Sequence, residues 1–207
     1  VYKRQGIYGG TYMALSTDVQ RGTLGVPGMP YNLLLSRSVD FDQFFEIIRS
    51  SFTDARDHMM LLNLAQMLWD RVEPNGYLPY IIEDTLPGTP SHEVFLRAAV
   101  GDHQVTTLGA HVMARTLGIP YLDSGVRWVP GLELTPGPVQ GSAYTEYEFG
   151  LPPDPLVNLP QRECEDPHGR LRQLESARMQ LDRFYRQGTV ENLCADGVCS
   201  FPELSGC

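Results

Sequence analysis

Asp102 and His168 are the two side chains of this 207-residue sequence whose types and settings suit proton-transfer chemistry. A neutral imidazole can take a proton from a hydroxyl near neutral pH. A carboxylate can hold that imidazole in one tautomer and stabilise its charged form. Asp102 follows the apolar run Val94, Phe95, Leu96, Ala98, Ala99 and Val100, then the turn-forming Gly101. His168 lies in Asp166-Pro167-His168-Gly169-Arg170, ahead of a long amphipathic segment. Each has a plainer reading: an Asp after a strand is often a helix cap, and a His in a Pro-rich loop is often solvated. Their order, an acid after one strand and a His after the following strand, favours the chemical reading.

The other titratable and nucleophilic side chains fit less well. His103 adjoins Asp102, so its side chain points away from the same site and reads as supporting or surface. His58 falls within an apolar helix, as a core or lid residue; His92 precedes a strand and His111 sits in a helix. None forms a metal pair at helical spacing, so no metal is expected, and no cofactor is expected either. Ser16, Ser36 and Ser38 are the in-chain hydroxyls considered, and none has the glycine setting of an exposed nucleophile.

The elements that must position Asp102 and His168 alternate along the chain. Residues 6–15 are small and apolar and read as a tightly packed helix. Residues 22–28 read as a short buried strand and its turn. The stretch 31–90 reads as a helical insertion, with Asp40 and Asp54 capping helices that carry Phe41, Phe44, Phe45, Ile47 and Ile48, then Met59, Leu62, Leu64, Met67 and Leu68. Met and aromatic side chains at that spacing are more often core than ligand pocket. The 94–100 run is apolar without alternation, as for a strand covered on both faces. A helix over 105–117 follows, closed by Gly118-Ile119-Pro120. A Pro/Gly-rich loop over 119–141 carries at most a short strand, and 142–149 alternates as a strand. Leu171, Leu174, Ala177, Leu181, Phe184 and Tyr185 mark the last helix, with Gly188 as its stop. The fold class is therefore α/β with a mostly parallel sheet.

Composition narrows the setting. A net charge of −9 and a pI near 4.9 argue against nucleic acid or an anionic membrane surface as partner. No apolar run reaches the roughly 18 residues of a membrane span. Cys164, Cys194, Cys199 and Cys207 all fall near the C-terminus, the last three in a tail over 191–207. An even count in a Pro/Gly-rich setting suggests disulfides and export, extracellular or periplasmic. Four cysteines allow three pairings, of which Cys194 with Cys199 is the most local; reduced thiols are the plain alternative.

Gly101-Asp102-His103-Gln104-Val105 resembles the acid-bearing turn of α/β-hydrolases, and Asp166-Pro167-His168-Gly169-Arg170 resembles the loop that carries their catalytic histidine. Residues 6–28 resemble the stretch from the nucleophile elbow through the next strand. The likeness covers nearly the whole chain and is nearest to secreted bacterial esterase- or lipase-like members. It implies a partial hydrolase domain over 6–190, a lid-like role for 31–90, and ester hydrolysis through a Ser-Asp-His triad. The substrate implied is a small-molecule or lipid-like ester; a peptidase of the same fold is the nearest rival. The 66 positions from Asp102 to His168 exceed the usual spacing.

The nucleophile is the open question. Gly6-Ile7-Tyr8-Gly9-Gly10 fits the elbow pattern with Tyr8 in the nucleophile's place, which would make the chain a non-catalytic binding protein. Tyr8 leaves too short a helix before Thr17, and a tyrosine is a poor acyl-transfer nucleophile beside His and Asp. Residues 1–5 read as a non-native leader resembling a translated library adapter, with a natural short N-terminus as the alternative. On the first reading the serine falls just upstream of Gly6, and the chain as it stands is expected to be an inactive fragment.

Overall fold

The computed structural model describes residues 5–152 and 154–207. The expected leader falls largely on residues 1–4, outside the described residues; Gln5 is the first residue of helix α1 (Gln5–Leu15). Strand β1 (Arg21–Gly25) follows, then helices α2 (Tyr31–Leu34), α3 (Asp42–Ser51), α4 (Ala55–Trp69) and α5 (Pro79–Ile82). Strand β2 (Glu93–Ala99) leads to helix α6 (Thr107–Thr116) and the short strands β3 (Tyr121–Leu122), β4 (Leu134–Thr135) and β5 (Val139–Gln140). Strand β6 (Ala143–Tyr147), helix α7 (Glu175–Gln187) and strand β7 (Thr189–Val190) complete the order. Five strands pair in parallel in the order β1-β2-β6-β3-β4, and β5 pairs antiparallel with β7. The protein is thus a mixed α/β fold around a parallel sheet.

Both faces of that sheet are covered, which is why β2 carries an unbroken apolar run. Side chains of a strand alternate between faces. Val94, Leu96 and Ala98 pack with Met13 and Ala14 of α1 and with Ala110, Met113 and Ala114 of α6. Phe95 faces the other way, onto Phe184 of α7, with ring centroids 5.5 Å apart. A third cluster lies at the carboxyl ends of the strands and includes Ala99, Val105, Tyr147, Leu171 and Ala177.

Several local expectations need correction. Asp54 caps α4 by accepting from the Arg56 backbone N–H, but Asp40 caps nothing: it lies in a 3-10 turn, Val39–Phe41, ahead of α3. The helix after Asp102 starts at Thr107, with Thr106 as its cap, rather than at 105. Residues Pro167–Arg172 form a 3-10 turn, so α7 begins only at Glu175. Of the apolar residues expected to be core in α3 and α4, Leu62 is buried and several others are not. Phe44, Ile47, Met60, Leu64, Met67 and Leu68 are all exposed, while Leu62 and Gln66 are the buried residues of α4. Among the described residues, no helix is long and apolar enough to cross a membrane.

The four cysteines pair as Cys194–Cys199 and Cys164–Cys207. The second links the loop before His168 to the C-terminal residue. Beside it, the Glu165 backbone N–H donates to the Ser205 carbonyl at 3.0 Å.

Candidate active site

Strand β2 delivers the chain to the carboxyl edge of the sheet, and Gly101 turns it there. Gly101 has φ +83°, in the left-handed region where a side chain is strained, and an added Cβ would lie 2.9 Å from Leu151. The turn places Asp102 with 2 % of its surface exposed. Its Oδ1 accepts from the backbone N–H groups of Gln104 and Val105, each at 2.8 Å. Its Oδ2 lies 2.9 Å from Nδ1 of His168. Asp102 therefore organises its own turn and also holds the histidine; it is not the cap of α6.

His168 is carried by the 3-10 turn Pro167–Arg172, and Asp166 is the residue that starts that turn. Asp166 Oδ1 accepts from the backbone N–H of His168 at 3.0 Å and of His103 at 3.1 Å, and Oδ2 accepts from Gln104 Nε2 at 2.7 Å. One carboxylate so clamps the acid turn to the histidine loop. The ring of His103 reaches the Glu163 carbonyl at 3.1 Å, and the residue is 8 % exposed. His103 is thus a buried tie between the loops and not a surface residue. Asp166 has no motif of its own; the Asp-Pro pair at a turn start was the available signal.

The electrostatics follow from burial and pairing. Burial raises the Asp102 carboxyl above its ordinary value, against the hydrogen bond and charge of His168 and the Val105 N–H. Burial alone would lower His168, but the hydrogen bond and charge of Asp102, with the charge of Asp166, outweigh it and hold the imidazole above its ordinary value. With Nδ1 engaged, Nε2 is the nitrogen left for chemistry. His168 lines a cavity of about 250 Å³ together with Val26, Arg97 and Leu171.

The start of α1 packs on Gly25 and Val26, which line this cavity. Gly6 packs so closely on β1 that a Cβ there would lie 2.3 Å from the carbonyl oxygens of Gly25 and Val26, and its own carbonyl accepts from the Gly28 N–H at 3.1 Å. Tyr8 lies further along α1 and is 46 % exposed. Ser16 hydrogen-bonds to Asp18, while Ser36 and Ser38 are buried. Among the described residues, no serine hydroxyl hydrogen-bonds to His168.

The remaining histidines serve the fold. His92 is 1 % exposed, its ring between the carbonyls of Ile81 and Ser16. His58 lies against the Phe52 carbonyl and the Phe45 ring. His111 makes a second histidine–carboxylate pair, which sequence reasoning missed: its Nε2 lies 2.6 Å from Oε1 of Glu146 on β6. Arg127 reaches both oxygens of Glu146, at 2.6 and 2.9 Å, and the Tyr144 hydroxyl donates to Oε1 at 2.6 Å. No protein-family model matches this chain, and comparison with curated proteins and with solved structures found no match.

Proposed function

We propose that Asp102 and His168 are the acid and the base of a Ser-Asp-His ester hydrolase, the serine being contributed from just before Gly6. The observation that carries this reading is the 2.9 Å contact of a buried carboxylate with Nδ1 of His168, a residue that lines the cavity and whose Nε2 that contact leaves free. In that role His168 Nε2 takes the serine proton as the hydroxyl attacks the ester carbonyl. It then gives the proton to the leaving alcohol. Asp102 orients the ring and stabilises its charged form. The parallel strands, with the acid at the carboxyl end of β2 and the histidine after β6, support an α/β-hydrolase arrangement. On this reading α2 to α5 form the lid-like insertion, and the exposed apolar residues of α3 and α4 suit an apolar acyl or alcohol group. The two disulfides favour an extracellular or periplasmic setting.

The test is turnover of p-nitrophenyl butyrate by the protein extended before Gly6 with the serine-bearing strand and turn that this reading requires. Asp102→Asn is expected to lower kcat about ten-thousand-fold, and His168→Ala by up to about a million-fold. Ester turnover and fluorophosphonate labelling that stay unchanged in His168→Ala remove His168 from the mechanism. The value of kcat/KM is expected to rise with pH through a midpoint above 6.5, the ordinary histidine value, because the reaction needs neutral His168 and Asp102 raises its pKa.

A further inference from the structure

We propose that the cavity beside His168 is built to hold a carboxylate, so that the ester bound there carries a negative charge; this rests on the hydrolase reading above and names its substrate class. Arg97 is the observation that carries it. The residue sits on β2 with 5 % of its surface exposed, and it lines the cavity. Its Nη1 donates to the Ala177 carbonyl at 3.0 Å, but its Nε has no hydrogen-bond partner. Among the described residues no carboxylate pairs with it. Its neighbouring charge is another cation, Arg172, and the face of the Phe95 ring lies 5.7 Å from its guanidinium carbon. A buried charge without a counter-ion is costly, and arginine cannot readily discharge to relieve that cost. Burial brings its pKa down only to about 10, so it stays charged at neutral pH.

The rest of the cavity has the same bias. Thr23 extends from β1 on the same sheet face as Phe95 and Arg97, and its buried hydroxyl also lacks a partner. Arg172 and Arg178 line the cavity too, and neither forms an ion pair among the described residues. Three guanidiniums thus converge on one cavity in a chain whose net charge is −9. A guanidinium fork with free N–H groups matches the two oxygens of a carboxylate, and arginines at the mouth of a low-dielectric cleft focus their field on an incoming anion. His168 shares the cavity, so a carboxylate held at Arg97 places the rest of a short monoester toward the imidazole.

The experiment is an NMR titration of the 207-residue protein with monomethyl glutarate, read on the Arg97 Nε–Hε and His168 ring signals. Dimethyl glutarate is the uncharged control. The expected result is a saturable shift of both signals by the monoester and none by the diester. Arg97→Met is expected to abolish the His168 response. Because Arg97 lies in the core, Arg178→Glu on the exposed face of α7 is the second variant, with an expected rise in Kd of about tenfold. Equal responses to monoester and diester, no response to either, or an unchanged Kd in Arg178→Glu would overturn the proposal. His168→Ala is expected to retain the Arg97 response, which separates failure of the anion site from failure of the hydrolytic pair.

Discussion

Two histidine–carboxylate pairs form around one parallel sheet, with their acids in the turn after β2 and on β6, and they are matched in burial. The side chains of Asp102 and Glu146 are both fully buried, and those of His168 and His111 are 15 % and 14 % exposed. What separates the pairs is how fully each acid is satisfied and which ring nitrogen is engaged. Glu146 receives His111, both arms of Arg127 and the Tyr144 hydroxyl. Burial would raise its pKa, but the hydrogen bonds and charges of His111 and Arg127 outweigh this and hold it down at about 2. Asp102 has two backbone N–H groups and one imidazole, with no cation fixed to it. An acid neutralised by a structural arginine anchors a fold. An acid whose charge is answered by the imidazole alone can stabilise that imidazole as it gains a proton. Histidine beside carboxylate is thus insufficient to mark a site; the remaining partners of the acid decide.

The largest effect that would sharpen this contrast is on ester turnover in the extended protein. His168→Ala is expected to remove it, while His111→Ala is expected to leave kcat within about tenfold, its histidine being remote in role from the reacting atoms. Comparable losses in both variants would break the distinction.

The next effect is on stability. Glu146→Gln takes the buried carboxylate from His111 and from the partly exposed Arg127, which keeps Asp154 at 3.6 Å, and is expected to lower the unfolding free energy by about 1–3 kcal/mol, read from the urea midpoint. The pH dependence has a definite sign. Because the folded pKa of Glu146 is depressed, its contribution is fully present above its ordinary value near 4.5 and is lost as pH falls toward about 2. The acid limb of stability should therefore flatten in Glu146→Gln. His168 runs the other way: its raised pKa contributes stability below its ordinary value, lost as pH rises through the folded value.

A third effect comes from the disulfide Cys164–Cys207, which pins the loop before Asp166 and His168. Replacing both cysteines by serine is expected to cost about 2–4 kcal/mol, since the loop closed spans 43 positions. Amide exchange near His168 should quicken, while that on β6 around Glu146 stays protected. Uniform loosening would contradict the separate anchoring of the two pairs.

How much of this was legible in sequence follows from the signals each part carries. The parallel sheet was readable because β2 is buried on both faces and its apolar run does not alternate. The contact of Asp102 with His168 agrees with an acid placed after one strand and a histidine after a later one, although three short strands lie between β2 and β6. Glu146 and His111 were not readable, since they meet through tertiary pairing of α6 with β6 and neither sits at a turn. Arg97 was hidden inside the apolar run, where nothing local marks an unpaired cation. The helices of 31–90 misled in part: helical spacing of Phe, Met and Leu specifies an apolar face but not what covers it, and here Leu62 is buried while Phe44, Met60, Leu64, Met67 and Leu68 are exposed. The cysteine count implied bridges, yet only the fold chose among the three pairings.

The smallest perturbation bears most directly on the central claim. Asp102→Asn keeps an acceptor for the Gln104 and Val105 amides and is expected to change stability by about 1 kcal/mol. The measurement is a long-range ¹H–¹⁵N titration of the histidine rings in the wild-type chain and in this variant. In the wild type, neutral His168 should carry its proton on Nδ1, with a titration midpoint above 6.5; in Asp102→Asn the midpoint should fall and the Nδ1–H tautomer should be lost. A wild-type His168 protonated on Nε2, or a midpoint indifferent to Asp102→Asn, would contradict the assignment of Asp102 and His168 as the working pair.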